Sequence, residues 1–270
     1  MSTLATAGAR WPARMTKTGS FAGMVAVVLM LVAGPAYRLG VLSLSPALLG
    51  AAAAFLLFFV AFLIGGIGLL AQRRHAQRSS RTAVVIVVLA GLATIFAGFW
   101  AVRLRSAPPI HDITTDFEDP PEFRDIVPLR KAARAVNSVE YQRIQRMAGR
   151  DIDVIEAQRR AYPDVQPLIL PQGPPRALEL AEQAARAMGW NIVAAAMTAV
   201  PAEGRVEATD ATWYFGFKDD VVIRVRADAG GSRVDIRSAS RVGVSDVGAN
   251  AARIRKYEAQ LRRLAGVSAP

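Results

Sequence analysis

The chain has 270 residues, of which 52% are hydrophobic, with no cysteine and a formal net charge of +11. Ten of the 33 basic residues precede Ser106, where there is no Asp or Glu, and the remainder carries 23 basic against 22 acidic residues. The positive excess therefore flanks apolar segments and argues against nucleic-acid binding. The absence of thiols excludes disulfides and thiolate metal sites, and we expect no cofactor.

Three long uncharged stretches occupy the first part of the chain, from Ser20 to Tyr37, from Gly40 to Ala71 and from Thr82 to Val102. A helix of about 20 apolar residues is long enough to cross a hydrocarbon core of about 30 Å. The sequence therefore predicts a tail over residues 1–19 and a region of three transmembrane helices over residues 20–105, with the lipid bilayer as partner.

Basic residues near these stretches predict the orientation, because short loops rich in Lys and Arg stay in the cytoplasm. They cluster before the first stretch and between the second and third, at Arg10, Arg14, Lys17, Arg73, Arg74, Arg78 and Arg81. We expect a bacterial inner-membrane protein with a cytoplasmic N-terminus and a periplasmic C-terminal domain.

Small residues recur at helical spacing within the stretches, as at Ala22 and Ala26, at Ala61 and Gly65, and at Ala90, Thr94 and Gly98. Such spacing favours close approach of helix backbones. In stretches so rich in alanine the same spacing also arises by chance.

The second half of the chain begins with a Pro-rich lead-in, expected to be extended, over residues 106–128. An α+β domain is predicted over residues 129–270. Residues 129–160 have helix-forming composition, and a clearer amphipathic helix follows Pro174 and ends near Gly189.

Four strands are predicted next, at residues 191–200, 205–217, 220–227 and 232–240. In the last hairpin, placing Ile223 opposite Ile236 makes Arg224 and Asp235 an exposed cross-strand pair. A final helix runs from about Gly248 to Ala265. The predicted fold is therefore a membrane-anchored α+β protein, with three transmembrane helices and a four-stranded antiparallel meander flanked by helices.

Two segments carry a family resemblance: GFKDDVVIRV at residues 216–225 and SRVDIRSASRVGVSDVGANAARI at residues 232–254. Together with residues 111–116 and 158–168 they resemble the bacterial domain-of-unknown-function 1499 family, from about Ile110 to Leu264. The resemblance implies a domain carried behind membrane spans. It implies no particular activity, cofactor or catalytic residue.

Arginines, acids and an amide surround the start of the last helix and form the candidate site: Asp219, Asp220, Arg237, Arg241, Asp246, Asn250 and Arg253. One interpretation is a buried structural network that joins helix to sheet. The other is an anion site at the helix N-terminus. Asp219 and Asp220 are adjacent strand residues and should point to opposite faces, so we predict no catalytic pair.

His111, Asp112 and Asp116 invite a metal interpretation, but we favour a surface or capping role because the other histidine, His75, is expected on the far side of the membrane. The preferred function is therefore a periplasmic binding or scaffolding module, with an envelope protein or an anionic headgroup as partner. The alternative is an envelope hydrolase that uses the acidic residues. The two differ in whether Asp219, Asp220 and Asp246 converge in an open cleft or each bond to an arginine or to backbone.

Overall fold

The computed structural model describes residues 10–147, 149–198 and 202–268. The chain divides into two compact units. The first contains the long helices and the short segment Trp213–Gly216, and the second contains the remainder.

The first unit is built from three helices, α1 (Trp11–Arg38), α2 (Leu44–Arg74) and α3 (Arg81–Ser106). All three are long and apolar enough to cross a membrane, and they contain the predicted stretches almost entirely. Since α1 already begins at Trp11, Arg14 and Lys17 of the predicted tail belong to its first turns.

Small residues hold α1 and α2 together at close range. Ala26 of α1 and Ala61 of α2 are fully buried. A Cβ atom added to Gly19 would lie 2.5 Å from the backbone nitrogen of Gly65. The predicted packing face is thus confirmed for Ala26, Ala61 and Gly65, whereas Gly98 has nothing within 4 Å of its added Cβ and reflects spacing by chance.

The second unit is centred on an antiparallel sheet of six strands in the order β1-β8-β7-β6-β5, with β4 also pairing with β8. The strands are β1 (Asp112–Thr114), β4 (Leu168–Leu170), β5 (Asn191–Thr198), β6 (Glu203–Ala211), β7 (Lys218–Asp228) and β8 (Gly231–Ser240). The predicted meander corresponds to β5–β8, but its size of four strands is wrong. Strands β1 and β4 have three residues each, too few to show alternation in the sequence.

The β7–β8 hairpin has the predicted register. Ile223 pairs with Ile236, and Arg224 pairs with Asp235. The end predicted for β5 at residue 200 lies outside the described residues. Strand β6 ends at Ala211 and not near Phe217, so the aromatic residues between β6 and β7 form a loop.

Helices α6 (Pro174–Ala187) and α7 (Ala249–Ala265) form the main hydrophobic core together with one face of the sheet. Ile223, Ile236 and Tyr257 are fully buried in this core. The helical composition of residues 129–160 is only partly realised, because α4 (Val127–Ala132) and α5 (Val154–Ala161) are separated by a two-stranded hairpin, β2 (Ile144–Met147) and β3 (Arg150–Asp153). Gly149 has φ +78 at this turn, a conformation that favours glycine.

The other face of the sheet is covered by the segment that we expected to be a lead-in. Phe123 and Ile126 pack there against Val222 and Ala239. The exposure expected for the pair of Arg224 and Asp235 on this face is therefore wrong. Arg224 is 5% exposed and Asp235 is fully buried, so their ion pair belongs to the interior.

Burial changes the expected effect of Arg224→Ala. An exposed pair is worth about 0.2–1 kcal/mol, but removing Arg224 deprives a buried carboxylate of one of three arginine partners, because Arg226 and Arg233 also contact Asp235. We expect the free energy of unfolding in urea to fall by about 1–3 kcal/mol. Arg176→Ala, which breaks an exposed pair with Glu179, is the matched control. An equal effect of both variants would contradict the buried pair.

Candidate functional site

The seven predicted site residues lie on β7, on β8, in the loop after β8 and at the start of α7, but strand alternation divides them between two faces. Asp219 is bonded to a residue of α7, whereas Asp220 is bonded to residues on the opposite face. The predicted divergence of these two carboxylates is observed. They do not form a pair for acid–base work.

A helix-side network forms around Arg253 of α7. The Arg253 guanidinium donates to Asp219 at 2.5 Å and to Asp210 at 2.8 Å. It also donates to Ser238 Oγ at 3.1 Å and to Asn250 Oδ1 at 2.5 Å. Burial opposes the charged form of Arg253, but the two aspartates outweigh it, and its pKa is raised. This arginine therefore has its donors directed at groups of the protein itself.

A second cluster forms on the opposite face around Asp220, whose carboxylate is fully buried. Arg241 donates to both of its oxygens, at 2.7 and 2.8 Å, and Arg130 of α4 donates at 2.8 Å. The Thr209 hydroxyl adds a bond of 2.8 Å. Two arginines thus share one carboxylate, with a threonine completing its partners.

Arg237 occupies a third site on that face, between the rings of Phe123 and Tyr141, at 4.8 and 5.4 Å from their centroids. Its guanidinium donates to Asp112 with a shortest distance of 2.7 Å and to the carbonyls of Pro121 and Val139. Only 1% of Arg237 is exposed. Arg237 therefore links β8 to β1 and to the covering segment, which is residues 115–126 between β1 and α4.

The predicted network is confirmed for Asp219 and Asp220, which bond to Arg253 and Arg241, but sequence reasoning missed Asp112 as the partner of Arg237 and Arg130 as a second partner of Asp220. Asp112 is 2% exposed and Asp116 is 8% exposed, so the surface role expected for them is wrong. The Asp116 carboxylate accepts from the backbone N–H groups of Glu118 and Asp119 and so closes a turn, but no helix begins there for it to cap. Arg130 was not predicted as a site residue. Its helix, α4, has only six residues, which is too short to show a helical period in the sequence.

Asp246 occupies the start of α7. Its carboxylate accepts from the N–H groups of Gly248 at 2.9 Å and Asn250 at 2.8 Å. Burial raises its pKa, and these two hydrogen bonds act in the opposite direction. An internal carboxylate is therefore bonded to the N–H groups that an external anion would use.

Glu207 of β6 anchors the covering segment. Its fully buried carboxylate accepts from the backbone N–H of Arg124 at 2.7 Å and of Ile126 at 2.8 Å. Burial raises its pKa, although these bonds favour the charged form. Among the described residues, no three His, Asp or Glu side chains come together as ligands for a metal ion.

Glu258 of α7 differs from these acids because its buried Oε1 atom has no hydrogen-bond partner among the described residues. Burial raises its pKa to about 7, above the ordinary 4.5. The folded state therefore holds a proton that the unfolded chain releases, and stability should fall as pH rises from 4.5 to 7. One such proton contributes a slope of at most about 1.4 kcal/mol per pH unit.

Glu258→Gln should remove this part of the pH dependence, because the amide does not titrate. Urea unfolding of both proteins across this pH range measures the difference. Parallel profiles for the two proteins would show that Glu258 titrates normally. Glu156→Gln, at an acid on the exposed side of α5, controls for the loss of a surface charge.

Comparison with known proteins places the second unit in a family. A family model described as "Protein of unknown function (DUF1499)" matches residues 112–261, more than half of the chain. The chain belongs to this family. The match begins at β1 and ends within α7, so the DUF1499 domain includes all seven predicted site residues and the Asp112 partner of Arg237. Searches of curated proteins and of solved structures found no match.

Proposed function

We propose that this DUF1499 protein is anchored in the bacterial inner membrane by α1–α3 and serves as a binding or scaffolding module in the periplasm. The proposal rests on two features of the first 105 residues. They form three apolar helices, and their basic residues are concentrated near the N-terminus and in the α2–α3 connection. With three spans, both of these segments lie in the cytoplasm and the DUF1499 domain lies outside it.

The arrangement of the acids supports binding or scaffolding over hydrolysis. Asp219 and Asp220 are bonded to arginines, and Asp246 is bonded to backbone N–H groups. Asp219 and Asp220 are buried on opposite faces of the sheet, and Asp246 is half-buried at the start of α7, so the three carboxylates do not meet in an open cleft. A general acid or base needs to reach the proton that it transfers, and carboxylates engaged in this way are poorly placed for that work.

Reporter fusions test the anchoring. Alkaline phosphatase fused after Pro270 should be active, since it folds only outside the cytoplasm, and green fluorescent protein at the same point should be dark. Fusions after Gln77, in the α2–α3 connection, should show the reverse. The opposite pattern would reject the orientation, and activity of both phosphatase fusions would reject the three spans.

Crosslinking in intact cells tests the binding role. Surface positions of the DUF1499 domain, such as Val136 and Ile169, which are 79% and 49% exposed, are suitable for a photoactivatable residue. A specific adduct with an envelope protein or with lipid is expected from at least one surface position, and the fully buried Ile223 is the negative control. Turnover of ester or amide substrates that is lost in Asp220→Asn would instead support the hydrolase.

A further inference from the structure

The segment Trp213–Gly216 belongs to the same compact unit as α1–α3, although it lies between β6 and β7 in the chain. Its base is closed by two hydrogen bonds of 2.9 Å between Thr212 and Phe217. Three consecutive aromatic residues, Trp213, Tyr214 and Phe215, occupy it. Such a run in a short loop leaves little room for burying all three rings.

Tyr214 fits a notch in α1 that Gly34 creates. The Tyr214 hydroxyl accepts from the Gly34 N–H at 3.2 Å and donates to the Met30 carbonyl. A Cβ at Gly34 would lie 2.6 Å from the Tyr214 ring, so only glycine leaves this space. Since Met30 precedes Arg38 by eight residues, the hydroxyl contacts α1 about 12 Å before the end of the helix.

Trp213 lies at the level of the helix end. The Arg38 guanidinium donates to the Trp213 carbonyl at 2.7 Å, and Tyr37 contacts the Phe215 ring edge-on at 6.3 Å. Yet Trp213 itself is 86% exposed. A residue with a large amphipathic ring is thus exposed, while its backbone carbonyl is bonded to the arginine that ends α1.

We infer that Trp213–Gly216 is a membrane-interface anchor whose partner is the headgroup and glycerol layer of the bilayer. The inference rests on the proposed function, because it requires that α1 spans a membrane. Leu31 and Val32, just before the Tyr214 notch, are 68% and 52% exposed and need lipid around them. Trp213, at the level of Arg38, then lies at the boundary between hydrocarbon and water. Trp and Tyr are enriched at this boundary, and arginine side chains reach the lipid headgroups from it.

This anchor takes a bilayer and not a soluble ligand. Interfacial binding of Trp uses an apolar ring face for the lipid and an N–H for the headgroup or glycerol oxygens. Trp213 meets both requirements with its exposed ring, while Tyr214 and Arg38 fix its backbone. The loop therefore adds a fourth contact with the membrane, contributed from a distant part of the sequence.

Depth measurement on the full chain tests the anchor, and the absence of native cysteine makes single labelling sites available. A nitroxide is attached to Trp213→Cys, to Ile95→Cys on α3 and to Val136→Cys on the DUF1499 domain, positions that are 86%, 71% and 79% exposed. The proteins are placed in vesicles of phosphatidylethanolamine and phosphatidylglycerol. Collision with oxygen and with a water-soluble nickel chelate reports the depth.

The expected result is a label at position 213 in the headgroup layer, a label at position 95 deep in hydrocarbon and a label at position 136 in water. A water-exposed label at position 213, with position 95 still deep, overturns the anchor and leaves the membrane proposal intact. A label at position 213 shielded from both reagents shows a protein contact and also overturns it. A water-exposed label at position 95 overturns the proposed function itself.

Fluorescence checks the native side chain, because the label replaces the indole. Lipids brominated near the glycerol should quench part of the tryptophan emission of the wild type. The quenched part should be smaller in Trp213→Phe, where Trp11 and Trp100, 42% and 47% exposed on the apolar helices, still contribute to it. Trp190 is only 6% exposed in the protein core and serves as an internal reference. An unchanged quenched fraction in Trp213→Phe would contradict the inference.

Discussion

Arg237→Ala and Arg253→Ala should each lower the free energy of unfolding by about 3–5 kcal/mol, since each leaves a buried carboxylate without its arginine. Arg237 is the arginine that bonds to Asp112, and Arg253 is the one that bonds to Asp219. Both aspartates are less than 5% exposed. Denaturant unfolding of the full chain in detergent measures the loss.

Arg241→Ala is the matched control, because Asp220 keeps Arg130 as a second partner. Its cost should be clearly smaller than that of Arg237→Ala. Combining Arg237→Met with Asp112→Asn should recover much of the stability, because no charge then remains unpaired. If these arginines instead form an anion site, single variants should melt like the wild type or later, and phosphate should stabilise only the wild type.

Gly19→Ala should loosen the packing of α1 against α2 and destabilise the helical unit by about 1–3 kcal/mol. The added Cβ would lie 2.5 Å from the backbone nitrogen and 2.6 Å from the Cα of Gly65. Backbone atoms of a helix cannot rotate away as the end of a side chain does, so the helices themselves have to separate. Unfolding in mixtures of dodecyl maltoside and sodium dodecyl sulfate measures the change.

Gly66→Ala tests whether the effect is specific to the contact. Gly66 lies next to Gly65 on α2, but an added Cβ has nothing within 4 Å. This variant should be neutral or slightly stabilising, because alanine favours a helix over glycine by about 1 kcal/mol in water. Equal destabilisation by both substitutions would mean that the α1–α2 contact is not the cause.

Long-period and alternating patterns made the larger elements predictable. The three apolar helices follow from uninterrupted hydropathy, and the β7–β8 register follows from the alternation of residues such as Ile223 and Val225 with Arg224. Strands β1 and β4 could not be predicted in this way, because they become strands only by pairing with β8. Their three-residue lengths carry no periodic signal.

Only the site residues that lie close together in the sequence could be predicted, and not their distant partners. The arginines and Asp219 and Asp220 stand out because they cluster in sequence, but their partners Asp112 and Arg130 lie about a hundred residues earlier. A single sequence contains no sign that these groups meet. The same gap explains the error at Arg224: its strand alternates as a half-exposed strand does, yet the covering segment with Asp116 and Asp119 replaces solvent.

The distance along the chain between these partners sets the order in which the DUF1499 domain is completed during synthesis. Asp112 leaves the ribosome 125 residues before Arg237, and Asp116 leaves 108 residues before Arg224. A nascent chain that ends before β8 already has Arg224 and Arg226 of β7 for Asp116 and Asp119, but it lacks Arg237, the partner of Asp112, and the strand with which β1 pairs. Pairings at such separation carry a large loop-closure cost. We therefore expect the covered face to close as a late, single step, after β7 and β8 have both been made.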